Sequence, residues 1–247
     1  MNTPEAITEH AKRIKSWPTS EIVALLVSGG LDSCILLAHL LASGRTVQPI
    51  YIRTGVAWQL EELTAVRRFS SAVQSARLRE LLSLELPLDD LYANHWSIHG
   101  RGAPEACSPD SAVYLPGRNP LLLIKAAVWC QMNGVEELAL APLASNPFSD
   151  ATEEFFVAFE RAVCLAGEAP LRITRPFAGL TKHDVMQLGR AYPLFLTFSC
   201  IAPENGLHCG RCNKCGERKA AFDLAGLVDS TQYSVEPRSM TYQRVCL

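Results

Sequence analysis

The chain has 247 residues, 48% of them apolar and 19% charged, enough for a large core in one domain or in one domain plus an appendage. Its formal charge of -2 at pH 7 provides no global positive field to recruit nucleic acid. No apolar run approaches the ~18 residues that span a bilayer, and the first seventeen residues lack the apolar stretch of a secretory leader, so a cytoplasmic protein without membrane contact is expected.

Residues 22–27 form a short continuous apolar run, the pattern of a strand covered on both faces. A helix is expected over 32–42, stopped by Gly44 in the left-handed conformation. A second strand follows at 47–52, an amphipathic helix at 60–76 and a third strand at 81–86. The next helix, 120–131, has Pro120 in its first turn and closes at Asn133 and Gly134. After a strand at 137–141, Asp150 and Glu153 read as an aspartate-led capping box for a helix running towards Ala166. A fifth strand is expected at 171–175, and Thr181 with Asp184 repeats the box for a helix ending near Tyr192. Strands alternating with helices predict an α/β fold with a doubly wound parallel sheet of about five strands.

Residues 89–117 are the longest stretch without periodicity, and their aromatic content predicts a lid over a site. In such sheets the site lies beyond the carboxyl ends of the strands. The loops after the first, fourth and fifth strands are therefore expected to converge there.

At the first strand–helix junction the sequence reads Ser28-Gly29-Gly30-Leu31-Asp32-Ser33. A helix N-terminus carries unpaired amides and a positive dipole end, which together attract an anion. Gly29 and Gly30 let the backbone turn sharply and approach the anion, while Ser28 and Ser33 add hydroxyl donors. Asp32 would repel phosphate, so its expected work is to hold Mg²⁺ or to cap local amides. No Gly-Lys-Ser/Thr follows, which separates this loop from the cradle of γ-phosphate hydrolases. A tight turn that binds no ligand is the plainer alternative.

The nine cysteines fall into two groups. Cys34, Cys107, Cys130, Cys164 and Cys246 are scattered singly, whereas Cys200, Cys209, Cys212 and Cys215 have Cys-x8-Cys-x2-Cys-x2-Cys spacing. Four thiolates able to close a tetrahedron suit Zn²⁺, one ion per chain, structural because no coordination position stays open. An iron–sulfur cluster accepts the same ligands, and His208 could replace one of them. Arg211, Lys214, Arg218 and Lys219 are expected to offset the negative charge of the thiolates. The division of the chain expected from these motifs is a nucleotide-phosphate-binding α/β domain over 1–195 and a zinc-bearing knuckle with its tail over 196–247.

The Ser-Gly-Gly-x-Asp-Ser loop resembles that of the PP-loop ATP pyrophosphatases, an adenine nucleotide alpha hydrolase-like group that cleaves ATP between its α and β phosphates. Together with the cysteine knuckle it resembles the 7-cyano-7-deazaguanine synthase family, from about Ile22 to Phe222. Further matches are "YLPGRN" at 114–119, "LTKHDV" at 180–185 and "FSDATEEF" at 148–155, the last agreeing at Asp150, Glu154 and Phe155.

The resemblance implies that ATP adenylates a small-molecule ring carboxylate, that ammonia displaces AMP to give an amide, and that a second ATP drives dehydration to the nitrile. It further implies that Ser28, Gly29, Gly30, Leu31, Asp32, Ser33, Arg118, Asn119 and Lys182 bind ATP, with Asp32, Ser33, Arg118 and Lys182 catalytic. Phe148, Asp150 and Glu154 would hold the substrate ring, and the family's habit of dimerising implies a homodimer. Two segments depart from the family pattern: "YIRTGVAWQ" at 51–59, with Arg53 where an acidic residue is usual, and Thr152 in place of arginine. Amidation of a different carboxylate, tRNA thiolation and a non-catalytic ATP-sensing module are the competing readings.

Overall fold

The computed structural model describes residues 22–167 and 169–237; the sequence readings made on the first seventeen residues and on Cys246 lie outside them. Strand β1 (Ile22–Leu26) is followed by helix α1 (Leu31–Ala42), β2 (Thr46–Arg53), α2 (Gln59–Ala72) and β3 (Leu82–Glu85). Then come α3 (Arg118–Met132), β4 (Glu137–Ala139), α4 (Glu153–Ala166), β5 (Arg172–Thr174), α5 (Lys182–Gly189) and α6 (Asn213–Ala225). The five strands form one sheet of order β3-β2-β1-β4-β5, and every pairing within it is parallel.

Strand alternation sends side chains to two faces, and two cores follow from it. Val23 and Leu25 of β1 join Val47 and Tyr51 of β2 beneath α1, α2, α5 and α6. Ala24, Ile50 and Ile52 point the other way, against Leu123 and Ala126 of α3 and Phe156 and Val163 of α4. Right-handed crossovers account for this split. The chain first moves outward from β1 to β3, then jumps back across the sheet to β4, and reversal of direction reverses the face that a right-handed connection covers. Because the connections after β1 and β4 leave in opposite directions, a crevice opens at the carboxyl ends of these neighbours.

The core also crosses the expected boundary between 195 and 196. Ala221, Phe222 and Ala225 of α6 pack in the same cluster as Ile35 and Leu36 of α1. No helix among the described residues is long and apolar enough to cross a membrane.

Three local expectations are corrected. Helix α2 ends at Ala72 rather than Ala76, its C-cap Val73 donating back to Phe69 O. The N-cap of α4 is Thr152, whose hydroxyl accepts from Phe155 N, while Asp150 lies in a preceding 3-10 turn (Ser149–Ala151). Threonine therefore supplies the cap that an aspartate-led box was expected to provide, and Asp150 is free for other contacts. Residues 89–117 form more than a hanging lid: short helical turns at Asp89–Tyr92, Trp96–His99 and Asp110–Val113 are tied into the body. Ala57 N donates to Ser97 O, and Asn213 N donates to Pro104 O, so this segment straps the start of α6 to the region before α2. The capping box of Thr181 and Asp184 forms as expected.

Candidate active site

At the crevice between β1 and β4, four helix N-termini converge. The first turns of α1 (Leu31, Asp32, Ser33), α3 (Arg118, Asn119), α5 (Lys182) and α6 (Lys214) all line one cavity of about 360 Å³. All four present the positive end of a helix dipole to the cavity, and α1 has no side-chain cap. At the other three an amide is engaged: Asn119 N of α3 donates to Asp150 Oδ2, Asn213 N of α6 donates to Pro104 O, and Asp184 N of α5 donates to Thr181 Oγ1.

The turn after β1 shows how the sequence shapes the cradle. Gly29 has φ +77°, a conformation costly for a side chain, and a Cβ there would sit 2.7 Å from Glu62 O. Gly30 is the N-cap of α1 and no side chain caps this end, which leaves the first-turn amides available to a ligand. Ser33 Oγ accepts from Ser28 N and lies 3.2 Å from Ser28 Oγ, closing the turn with hydroxyls. Phe198 N donates to Gly29 O at 2.7 Å, binding the cradle to the segment that enters the cysteine cluster.

Lys182, the first residue of α5, donates to both carboxylate oxygens of Asp32 at 2.6 and 2.7 Å. The loops after β1 and β5 thus meet as expected, and Ala141, Pro142 and Asn146 bring the loop after β4 to the same wall. Arg118 enters the cavity from α3, after the left-handed Gly117, and its Nε is buried without a hydrogen-bond partner. Asn119 is used structurally: its N and Nδ2 donate to Asp150 Oδ2 and Asp150 O.

The three expected ring-binding residues separate. Phe148 lines a second cavity of about 180 Å³, with its ring 5.0 Å from that of Tyr114. Asp150 lines neither cavity, although its Oδ1 is buried without a hydrogen-bond partner. Burial raises the pKa of its carboxyl, against the lowering effect of the bonds from Asn119. Glu154 is exposed on α4 and lines neither cavity.

Sequence reasoning missed several residues of the larger cavity. Glu62 accepts from Tyr51 Oη at 2.8 Å and from Trp58 Nε1 at 3.0 Å, and burial raises its pKa. All three belong to or follow the 51–59 segment that departs from the family pattern, and helical spacing alone gave no sign that Glu62 faces inward. Arg218 is 1% exposed and lines the same cavity. Its guanidinium donates to Thr231 Oγ1, Thr197 Oγ1, Ser199 Oγ and Leu194 O. A buried charge kept by neutral acceptors has its pKa lowered by desolvation.

The four cysteines of the knuckle gather as their spacing predicts. All are buried and their Sγ atoms lie within 4.8 Å of one another, a group that could hold a metal ion. Cys200 Sγ and Cys212 Sγ are 3.8 Å apart, and Cys209 Sγ and Cys215 Sγ 4.0 Å. A tetrahedron with sulfurs ~2.3 Å from a central ion has edges of about 3.8 Å, so a single ion fits. A cubane cluster places its ligands on four separate irons and holds them farther apart. His208 is not a ligand: its Nε2 accepts from Ser199 N, its ring packs on Phe198, and burial lowers its pKa to about 3.

The expected neutralising side chains are engaged elsewhere. Arg211 pairs with Glu204, Lys214 with Glu217 and Lys219 with Asp223. The sulfurs instead accept from backbone amides: Ala202 N and Cys209 N on Cys200 Sγ, Arg211 N and Cys212 N on Cys209 Sγ. Tight knuckle turns place amides nearer to the sulfurs than long flexible side chains can be held.

Comparison with known proteins agrees with this architecture. The family model described as queuosine biosynthesis protein QueC matches residues 22–226. The 7-cyano-7-deazaguanine synthase of Syntrophobacter fumaroxidans is 32% identical, over 85% of this chain and 94% of that protein. The 7-cyano-7-deazaguanine synthase of Chlorobium phaeobacteroides is 29% identical, over 86% of this chain and 97% of that protein. Among solved structures, the U34-tRNA thiolase NcsA of Methanococcus maripaludis with its [4Fe-4S] cluster superposes with a TM-score of 0.51 at 13% identity, covering 98% of this chain and 88% of that one. That likeness speaks to the fold.

Proposed function

The chain belongs to the QueC family of queuosine biosynthesis proteins, and from that premise we propose that it converts 7-carboxy-7-deazaguanine into 7-cyano-7-deazaguanine at the expense of ATP. The observation that carries the reading is the convergence of four helix N-termini on one cavity beside a glycine turn with no side-chain cap. Such a site favours the polyphosphate of ATP, since an anion there meets oriented amides that need no reorganisation.

The chemistry follows in two rounds. A carboxylate oxygen of the acid attacks the α-phosphorus and pyrophosphate leaves, giving an acyl-adenylate. Ammonia attacks its carbonyl carbon, a proton is lost and AMP departs to leave the amide. In the second round the amide oxygen attacks the α-phosphorus of a second ATP, pyrophosphate leaves and the nitrogen loses one proton to give an O-adenylyl imidate. Loss of the second N–H proton with AMP then forms the carbon–nitrogen triple bond. Each round releases one AMP and one pyrophosphate. AMP leaves where a carboxylate oxygen would not, because cationic groups stabilise the charge that gathers on it.

Within this scheme Ser28, Gly29, Gly30, Leu31 and Ser33 cradle pyrophosphate, and Arg118 offers a planar fork to the phosphate oxygens. Lys182 supplies a point charge at the same place, and Asn119 fixes the start of α3 against Asp150. Asp32 would hold Mg²⁺ once phosphates draw Lys182 away from it, and the ion when bound supplies charge neutralisation to the polyphosphate. Phe148 provides a flat wall for the ring, while Asp150 and Glu154, which line neither cavity, could reach it only if the 148–155 segment moves. The four thiolates would hold Zn²⁺, which leaves no position for substrate, so the metal would stabilise the segment from Cys200 to Cys215. Ammonia as the nitrogen source, a homodimer and a cytoplasmic setting belong to the same proposal.

The test is a single turnover with α-labelled ATP, ammonia and 7-carboxy-7-deazaguanine. Two AMP and two pyrophosphate per nitrile are expected. ADP as the product, or no nucleotide cleavage, would overturn the reading.

A further inference from the structure

The two cavities meet at a neck, and charged residues define it. Asp32, Lys182, Lys214 and Glu217 line both cavities. Ser28, Gly30, Arg118 and Arg218 line only the larger one, whereas Phe148 and Asp110 line only the smaller. The smaller cavity therefore offers an aromatic wall away from the phosphate cradle, and its cationic lining residues are the two lysines of the neck.

We infer that Lys214 binds the carboxylate of the acceptor, which reaches the neck from the smaller cavity. This rests on the reading above, in which the acceptor is a ring carboxylic acid. Its carboxylate must approach the α-phosphorus although both carry negative charge, so a cation has to stand at the meeting point. The other cations of the larger cavity have other work in that reading. Lys182 leaves Asp32 for the phosphates, and Arg218 has its guanidinium on four oxygen acceptors. Arg118 stands on the cradle side and does not line the smaller cavity.

Lys214 is placed differently. Its Nζ donates to Glu217 Oε1 and Oε2 at 2.7 and 2.8 Å within α6. The two side chains are 32% and 30% exposed, and a pair this open to water is worth little, so a substrate carboxylate can replace Glu217 at low cost. The backbone that carries both is anchored by Cys212 and Cys215 on either side of Lys214, which gives the cysteine knuckle a part in shaping the acceptor site.

The experiment compares the KM for 7-carboxy-7-deazaguanine with the KM for ATP in wild type, Lys214→Met, Lys214→Arg and Glu217→Gln. Losing a charge-assisted bond should raise the acid KM of Lys214→Met by roughly 10–100-fold, with the ATP KM within about twofold. Lys214→Arg should recover most of the loss, and Glu217→Gln should lower the acid KM by freeing the lysine. An unchanged acid KM in Lys214→Met, or a parallel rise in the ATP KM, overturns the inference. If Lys214→Met does not fold, Glu217→Gln decides, and a raised or unchanged acid KM sinks it. A wild type that releases no AMP with this acid fails at the functional reading and takes the inference with it. A wild type that turns over beside an unaffected Lys214→Met fails at the inference alone.

Discussion

Lys182 Nζ grips both oxygens of Asp32 across 150 positions of sequence, at 2.6 and 2.7 Å. One residue opens α5 and the other lies in the first turn of α1, so the pair marks the point where the loops after β5 and β1 meet. Lys182 balances the charge of Asp32, which would let the proposed phosphate site tolerate an acidic residue. The pair is also poised to exchange partners when a polyphosphate arrives.

Lys182→Met and Asp32→Ala are each expected to reduce single-turnover AMP formation by ~10²–10³-fold, the usual loss when one preorganised electrostatic group is removed. Their side chains are 18% and 29% exposed, so each variant leaves a partly buried charge unpaired and should also lower the Tm; AMP formation is therefore read at a temperature where both variants remain folded. An Asp32→Ala protein with full activity would remove the case for the cradle.

Gly29→Ala forces a side chain into the left-handed region and towards Glu62 O, which is backbone and cannot swing aside. A cost of ~1–2 kcal/mol is expected from the conformation alone, with further loss from the clash. Differential scanning should show a Tm lower by several degrees, together with weakened ATP binding. A variant with wild-type Tm and ATP affinity would contradict the geometry.

Glu62 gives a pH-dependent prediction. Burial raises its pKa above the ordinary 4.5 of a glutamate, so the folded state binds its proton more tightly than the unfolded chain does. The cost of ionising it is absent below about pH 4.5 and accrues as pH rises through the folded pKa. Glu62→Gln removes that cost, and Tyr51 Oη can accept from the new amide while donating to Gln59 O, already 3.3 Å away. The substitution should therefore raise Tm at pH 8 and leave it nearly unchanged at pH 4. Equal shifts at both values would show that the carboxylate is not strained by burial.

For the cysteine knuckle, elemental analysis of the purified protein should find one zinc per chain and no iron, and its visible spectrum should be featureless. Cys212→Ser or a strong chelator should unfold the segment around α6 and lower the stability of the whole, because structural zinc contributes on the order of 10 kcal/mol in small peptides. Phe222 lies in the main core, so the loss should spread to α1 and be visible in hydrogen exchange there. A stable protein free of metal would refute the assignment.

The sequence by itself determined whatever is written in a short window. Strand–helix alternation, the glycine turn at 28–33, the capping box at Thr181 and the four clustered cysteines all depend on residues close in the sequence, and each is present in the structure, with shifted boundaries for helices such as α2. Asp150 and Thr152 show the limit of such windows, since both can cap and only the folded backbone chose the threonine. The tertiary structure alone decided that Asp32 faces Lys182, that Glu62 turns into the cavity and that Lys214 stands at the neck. The reason is topological: strand order and crossover hand bring distant helix N-termini to one crevice, and no periodicity along the chain encodes which of them will touch.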